Sequence, residues 1–479
     1  MTHSGDQYGT LDASMSMQVD EDFQKPRICH IQKLPLELLA EVFALCLPHV
    51  PSFRSCDAPM LLSHICHSWR GLALSQSSLW DTIYLPSPLE GLRQGTVALC
   101  ALWLERSGAR PLSVDFHLAS DYQPWKISDS HLKAVHQVVR LLIPHAGRVT
   151  KLLRVTPQFL EDLRLERMVL LDDLFICDTV DLRSFGAGVQ VQGQAAGARR
   201  VTTTPPMIVP PTLRCLSLRQ TSFDLSVFSS LRSLAHLDLW QLQGNGQMSL
   251  RTCINLLREL SHLESCTLDV ALSTYDRPSW RSHELPILMP KLSFFFISWD
   301  WLVDVGVILD VLSTPSLRRL GLRGPPPTRQ HWPHLRAFLQ RSRPALTQLS
   351  IKEVGYADIA ILDCLRLCPT LTNMSLSHCS VTTDLIRALQ LDLRKQPQTF
   401  LVPRLEHLSL EACDEFDVRE LVSMLTTRGK CVPNGGSVLK GLRLASCRRI
   451  MECHREELEG SGVGAVSIKF VRMPRAQTR

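Results

Sequence analysis

Cysteine and histidine are the residues of this chain best suited to bind a metal or to act as nucleophiles, and the sequence has 16 and 17 of them. His64, Cys66 and His67 lie close together, and Cys364 and Cys368 lie one helical turn apart. A zinc site normally needs a second matching pair, and no Cys-x-x-Cys occurs in the sequence. We therefore expect these groups to be core or surface residues, and we predict no metal site and no cofactor.

Other signatures of catalysis are also missing from the sequence. It has no glycine-rich nucleotide-binding motif, no serine-hydrolase elbow and no His-Glu-x-x-His of a zinc protease. The sequence therefore predicts a protein that is not an enzyme.

A repeated phrase, Leu-x-x-Leu-x-Leu, dominates most of the chain. Close copies begin at Leu213, Leu234, Leu317, Leu346, Leu371, Leu405 and Leu439, and looser copies at Leu171, Leu263 and Leu292. From the copy at Leu213 onward the spacing is about 21 to 34 residues, as in solenoid repeats. The alternating end of each phrase is typical of a short strand with one buried face. One such unit cannot bury its own apolar face, so the copies must stack.

Helical patterns lie between these strands. Apolar residues recur at i, i+3, i+4 and i+7 within 305–312, 361–368 and 418–425. Three earlier segments, at 82–85, 111–116 and 149–152, have the strand pattern in a less regular form. A strand followed by a helix, repeated, predicts an α/β fold: a curved leucine-rich-repeat solenoid with parallel strands on its concave face and helices on its convex face.

Three cysteines occupy one position of the repeat. Cys379, Cys413 and Cys447 each come three residues after the last leucine of a phrase. Leucine-rich repeats place Asn or Cys there, where a small polar group can satisfy the backbone of a turn. We predict that these cysteines are buried, reduced and structural.

The N-terminal block has a different pattern. Residues 34–43 hold Leu34-Pro35, Leu38-Leu39 and Val42-Phe43, and Pro35 suits the first turn of a helix. Farther on, residues 62–69 predict a helix face made of Leu62, Ile65, Cys66 and Trp69, and Leu79-Trp80 follows. This ordered set, within about 50 residues, resembles the F-box in its F-box-like variant.

The whole chain resembles fungal F-box proteins with leucine-rich repeats. The resemblance implies a substrate-recognition subunit of an SCF-type cullin–RING ubiquitin ligase, whose F-box docks on the adaptor while the repeats hold a target protein. The partners would be the adaptor and cullin subunits and an unknown protein target. Carried over by position, the adaptor-facing residues would be Leu34, Pro35, Leu38, Leu39, Val42, Phe43, Trp69 and Trp80.

The physical argument for a partner is that a few short helices cannot cover their own apolar faces. The alternative is that the same side chains pack the helices onto the first repeat. The sequence favours that alternative for Trp69 and Trp80 and leaves it equally open for Leu38 and Val42.

The domain organisation follows from these patterns. We predict a disordered tail at 1–25, an F-box-like domain at 28–81, irregular early repeats at 82–210 with a flexible excursion at 186–211, a regular solenoid at 211–470 and a basic tail at 471–479.

The predicted target-binding residues lie beside the repeat leucines. If the leucines point into the core, the alternate residues face the concave sheet. Large aromatic residues and arginines are common interface anchors. We therefore predict a target-binding patch made of Trp240, Asp269, Phe294, Phe296, Arg319 and Arg323. Equally open is that other parts of the chain, such as the 186–211 excursion, cover Phe294 and Phe296.

Composition and charge indicate which kinds of partner and which cellular compartment to expect. The net charge of +6 is spread along the chain, which does not favour a nucleic-acid partner. Residues 1–25 are polar and acidic rather than leader-like, and three aspartates interrupt the most apolar stretch, 292–312, so no membrane span is expected. We expect a cytoplasmic or nuclear protein with free thiols.

Two other functions fit the same repeats. One is a leucine-rich-repeat binding scaffold that acts outside a ubiquitin ligase, with or without the adaptor. The other is a GTPase activator whose N-terminal helices only cap the stack, but no exposed catalytic Arg or Asn stands out in the sequence.

Overall fold

A computed structural model describes the chain over residues 30–50, 52–85, 95–116, 129–177, 209–221, 231–242, 248–271, 286–300, 303–325, 333–354, 358–391, 400–429 and 437–470. The predicted tails, 1–25 and 471–479, and residues 186–208 of the predicted excursion lie outside these ranges. Among the described residues no helix has the length and apolar character needed to cross a membrane.

Three short helices begin the described chain. They are α1 (Leu36–Leu45), α2 (Met60–Ile65) and α3 (His67–Ser75), with 3₁₀ turns at His30–Lys33 and Ser77–Leu79. Phe43 of α1 is buried and its ring packs on Trp69 of α3, with ring centroids 4.9 Å apart. The Trp80 indole N–H donates to the Ala73 carbonyl at 2.8 Å. These contacts join the helices, and the Trp80 ring also packs on Trp103, so their buried side chains are continuous with the core of the repeats.

The predicted helix face through residues 62–69 is wrong in one respect, because the chain makes two helices there. Cys66 is extended, with φ −154° and ψ 170°, and separates α2 from α3. Its Sγ accepts the backbone N–H of Trp69 at 3.5 Å, which caps the start of α3. Leu62 is buried, whereas Ile65 is 52% exposed. The local cap therefore outweighs the apolar periodicity.

Within the described ranges the repeats form one 14-stranded parallel sheet in which the strands follow chain order. All the predicted strand segments belong to it, and their number and order confirm the α/β repeat architecture. The strands are β1 (Thr82–Tyr84), β2 (Leu112–Asp115), β3 (Val149–Val155), β4 (Asp173–Cys177), β5 (Cys215–Arg219), β6 (His236–Trp240), β7 (Ser265–Val270), β9 (Phe294–Trp299), β11 (Arg319–Arg323), β12 (Gln348–Lys352), β13 (Asn373–Ser377), β14 (His407–Glu411), β15 (Gly441–Ala445) and β16 (Ala465–Lys469). Two short strands, β8 (Ile287–Leu288) and β10 (Leu312–Ser313), pair separately.

Helices connect many of these strands. In two series, the first three and the last seven of those named below, each helix packs on the next one in the chain. Helices pack about 8–10 Å apart and strands about 4.8 Å apart. A stack of such units is expected to bend, with the sheet on the inner side. The helices are α4 (Thr96–Arg106), α5 (Asp129–Leu142), α6 (Pro157–Leu163), α7 (Leu250–Glu259), α8 (Gly306–Val311), α9 (His334–Ser342), α10 (Asp358–Arg366), α11 (Thr383–Ala388), α12 (Val418–Gly429) and α13 (Arg455–Glu459).

Strand register is regular in most of the sheet. The leucines of each phrase lie side by side and are buried, while the alternate residues form the other face, which we call the open face. Pairing shifts only between β2, β3 and β4. The early repeats are therefore less regular, as their sequences predict.

The cysteines of the repeat form a ladder behind the last strands. Cys379, Cys413 and Cys447 are buried, and each thiol lies within hydrogen-bond distance of a carbonyl in the preceding strand, at 3.5, 3.5 and 3.6 Å. Burial raises the pKa of the Cys379 thiol to about 11 and that of Cys413 to about 12. None of the cysteines in the described ranges is in a disulfide. The predicted position of these three residues is confirmed.

Candidate functional site

The first helix carries an apolar stripe on its outer side. Leu38, Val42 and Leu45 are spaced at i, i+4 and i+7 and are 54%, 36% and 85% exposed. Leu39 and Phe43 point the other way and are buried. The second helix repeats the arrangement, with Leu61 and Ile65 both exposed. We call these five exposed residues the helical surface.

The predicted adaptor-facing residues divide into two groups. Leu34, Pro35, Leu38 and Val42 are exposed and available for a partner. Trp69 is partly buried against Phe43. The remaining three are fully or almost fully buried, and their contact with a partner stays a prediction: Leu39, Phe43 and Trp80. Leu45, Leu61 and Ile65 were not among the predicted adaptor-facing residues, although the spacing from Leu38 to Leu45 is a visible helical signal.

A second candidate surface is an aromatic and basic cluster on the open face. Trp240 and Phe296 have ring centroids 5.7 Å apart, and the Arg323 guanidinium lies 5.8 Å from the Trp240 ring centroid. The Arg319 guanidinium lies 4.8 Å from the Phe294 ring centroid. These contacts place the predicted aromatic residues and arginines on neighbouring strands, where each has a partner within the chain.

Asp269 belongs to the same surface but is already engaged. Its carboxylate accepts the Ser298 hydroxyl at 2.5 Å and the backbone N–H of Gln241 at 3.1 Å. The structure thus brings all six predicted target-binding residues onto one face. Their neighbours cover much of Phe294 and Phe296, while the part of the predicted excursion at 186–208 lies outside the described residues. Target binding by this cluster stays a prediction.

Beyond Phe296 the open face forms a groove. Its volume is about 500 Å³ and it crosses the sheet from β9 to β16. The third residue of successive strands makes its floor, and that residue is small from β11 to β14: Gly321, Ser350, Ser375 and Ser409. A Cβ on Gly321 would lie 2.3 Å from the Phe296 ring, so the ring lies over this glycine and closes one end of the floor. The alternation of the repeats predicts that these residues face the concave sheet, but it does not predict the groove.

The candidate metal residues show no metal geometry. Within the described parts of the chain no three His, Cys, Asp or Glu side chains lie together as metal ligands. Cys364 and Cys368 are buried, and burial raises the pKa of each thiol to about 12. These two cysteines therefore belong to the core.

No family model matches the chain, and no curated protein matches it. Among solved structures, the chain is similar to an internalin from Listeria monocytogenes, with 12% identity, a TM-score of 0.33, and coverage of 69% of this chain and 84% of the internalin chain.

Proposed function

We propose that this chain is the substrate-recognition subunit of an SCF-type cullin–RING ubiquitin ligase. In this proposal the helical surface docks on the adaptor and the open face of the sheet holds the target protein. The observation that carries it is the exposed stripe of Leu38, Val42 and Leu45 next to a well-packed core.

The energetic argument concerns the cost of leaving this stripe in water. Covering an aliphatic side chain of this size is worth about 1.5–3 kcal/mol. The exposed stripe is continuous on α1, and α2 adds two similar residues. An amphipathic helix that shows such a stripe is a common docking element for a partner groove. The ordered sequence set at residues 34–80, which resembles the F-box, supports the identity of that partner as the ligase adaptor.

The test is co-purification of the adaptor and cullin with tagged full-length protein. The double variant Leu38→Asp with Val42→Asp should lose both partners, because it places two charges in the apolar contact while leaving the buried Leu39 and Phe43 in place. Leu170→Asp is a matched control, since Leu170 is 48% exposed and lies far along the sequence. Undiminished adaptor recovery with the folded double variant would contradict the proposal.

A second candidate function is a binding scaffold that works outside a ubiquitin ligase. The large parallel sheet with an open face favours a binding role in either case. Recovery of the adaptor without the cullin would favour an adaptor-bound scaffold, and recovery of neither would favour an independent one.

A further inference from the structure

The groove has positive charge near both of its ends, on β11 and β15. Arg319 and Arg443 line it, His407 lies between them, and its described lining includes no Asp or Glu. Arg443 is exposed, and neither arginine makes an ion pair with another described residue. The sole acid in the five strands from β11 to β15 is Glu411, which lies one row outside the groove and accepts the Ser377 hydroxyl at 3.2 Å.

Hydrogen-bonding capacity lies along the floor between the arginines. The hydroxyls of Ser350, Ser375 and Ser409 are partly exposed and make no side-chain hydrogen bond within the described chain. The Asn373 side-chain oxygen accepts the Thr372 hydroxyl at 2.7 Å, which leaves its N–H₂ group free to donate into the groove. Small polar side chains on the floor leave room for a polypeptide backbone and can satisfy its polar groups.

Two glycines leave room for the rings of Phe296 and His407 to lie flat on the sheet, which keeps the groove open. A Cβ on Gly321 would meet the Phe296 ring, and a Cβ on Gly441 would lie 2.7 Å from Nδ1 of His407. Each ring therefore lies over the glycine of the next strand rather than standing up into the channel. The clear path between the rings runs across the strands.

We propose that this groove binds an extended, unmodified acidic segment of the target protein, with one carboxylate at Arg319 and another at Arg443. The proposal rests on the proposed function in taking the occupant to be the target. Four strand spacings of about 4.8 Å separate these arginines, which is about 19 Å, or roughly six residues of extended chain. Each end offers one guanidinium, whose planar fork matches one carboxylate, whereas phosphate sites on proteins usually gather several arginines.

The experiment measures binding of synthetic fluorescein-labelled peptides to the full-length chain by fluorescence anisotropy. Each peptide has one glutamate near each end, and the two are separated by a spacer of alanine and serine that is shorter than, equal to or longer than about five residues. Matched peptides carry glutamine or phosphoserine in place of glutamate. We expect the glutamate peptide with the intermediate spacer to bind most tightly and the glutamine peptide to bind at least tenfold more weakly.

Variants of the chain locate the contact. Arg319→Ala and Arg443→Ala should each weaken binding of the glutamate peptide about tenfold. Ser375→Tyr should block binding by filling the middle of the floor. Arg366→Ala, at an exposed arginine on the helical side, should leave binding unchanged. Circular dichroism of each variant checks the fold.

Several outcomes would overturn the proposal. They are equal binding of the glutamate and glutamine peptides, preference for phosphoserine, no dependence on spacer length, and full binding by a variant that combines Arg319→Ala with Arg443→Ala. Adaptor recovery is measured on the same variants. It should persist, because the helical surface is untouched, so failure of the acidic-segment proposal is distinct from failure of adaptor docking.

Discussion

From β4 to β9 the open face carries large side chains that contact one another, whereas from β11 to β14 the middle row is glycine and serine. In the first region the Arg219 guanidinium lies 5.2 Å from the Phe175 ring centroid and pairs with the Asp238 carboxylate at 3.0 Å. In the second region the floor hydroxyls have no partner among the described residues. The backbone pairing is the same in both. Aromatic and arginine side chains on the open face are therefore not by themselves evidence of a free binding site, because they can contact one another within the chain.

The groove region also has polar side chains that are buried beneath the sheet. Under the groove, the cysteine ladder lies beside the strand ends, and Arg428 of α12 is fully buried. Its guanidinium donates to the carbonyls of Leu389, Leu401 and Val402 at 2.6, 2.8 and 3.2 Å. It thus joins the end of α11, at Leu389, to the segment that leads into β14. Burial lowers the pKa of Arg428 to about 10, so it stays charged at neutral pH.

The largest expected effect is the loss of this buried support. Arg428→Met keeps the length of the side chain but removes the donor to the carbonyls of Leu389 and Leu401. The Val402 carbonyl still accepts the Leu405 backbone N–H. The variant should lower the free energy of unfolding by about 3 kcal/mol. Arg366→Met, at an exposed arginine, should change it by less than about 0.5 kcal/mol. Urea denaturation measures both, and equal midpoints for the two variants would show that Arg428 does not support the groove.

A substitution at Gly321 should disturb the packing at the boundary between the two regions. Gly321→Ala places a Cβ where the Phe296 ring lies, so the ring must move, and we expect a loss of about 1–2 kcal/mol. Tryptophan emission should change as well, because Phe296 packs on Trp240. Ser350→Ala, one strand farther along the same floor, is the matched control and should leave emission unchanged. If both variants behave alike, Phe296 does not depend on this glycine.

Alkaline pH should destabilise the region with the cysteine ladder. Burial raises the pKa of Cys379 and Cys413 from the ordinary 9.0 to about 11 and 12. Their stabilising contribution is complete below pH 9 and is lost as pH rises toward those folded values, because only the unfolded thiols then ionise. Urea midpoints should therefore fall above pH 9, and less so in Cys379→Ala with Cys413→Ala. At pH 8, thiol-labelling reagents should modify the exposed Cys46 and Cys453 quickly and the ladder cysteines only on unfolding.

The smallest expected effect belongs to the arginines that stack on aromatic rings of the first region, Arg219 on Phe175 and Arg323 of β11 on Trp240. Arg219→Met should cost only about 0.5 kcal/mol, because the Arg219 side chain is 35% exposed and its ion pair is screened by water. Arg323→Met should behave alike. Calorimetric unfolding measures both, and a loss above about 2 kcal/mol would mean that single open-face contacts hold the first region together.

The sequence predicted the strands well because the alternation of leucine is local and is repeated. It predicted the cysteine positions for the same reason. The break at Cys66 was missed because a side-chain cap overrode the apolar pattern. The left-handed residues after the strands, such as Gln220, His378 and Ala412, were also missed, since none is glycine and the repeat geometry imposes their positive φ.

The candidate site was less predictable because it depends on neighbours that are distant in sequence. Nothing near Gly321 in the chain shows that the Phe296 ring lies over it. The same holds for Arg428, whose partners lie 26 to 39 residues earlier. Register between repeats, rather than residue type, determines which side chains are paired and which remain available.

The uninterrupted register of strand pairing from β4 to β16 has a consequence for how this protein can evolve. Because each strand aligns with the next position by position, duplication of the gene segment that encodes one strand and its connection adds one row to the sheet without disturbing the others. A duplication between β12 and β13 would move Arg443 about 4.8 Å farther from Arg319. Specificity for the spacing of charges in a partner could thus change in discrete steps, one repeat at a time, with no redesign of the core.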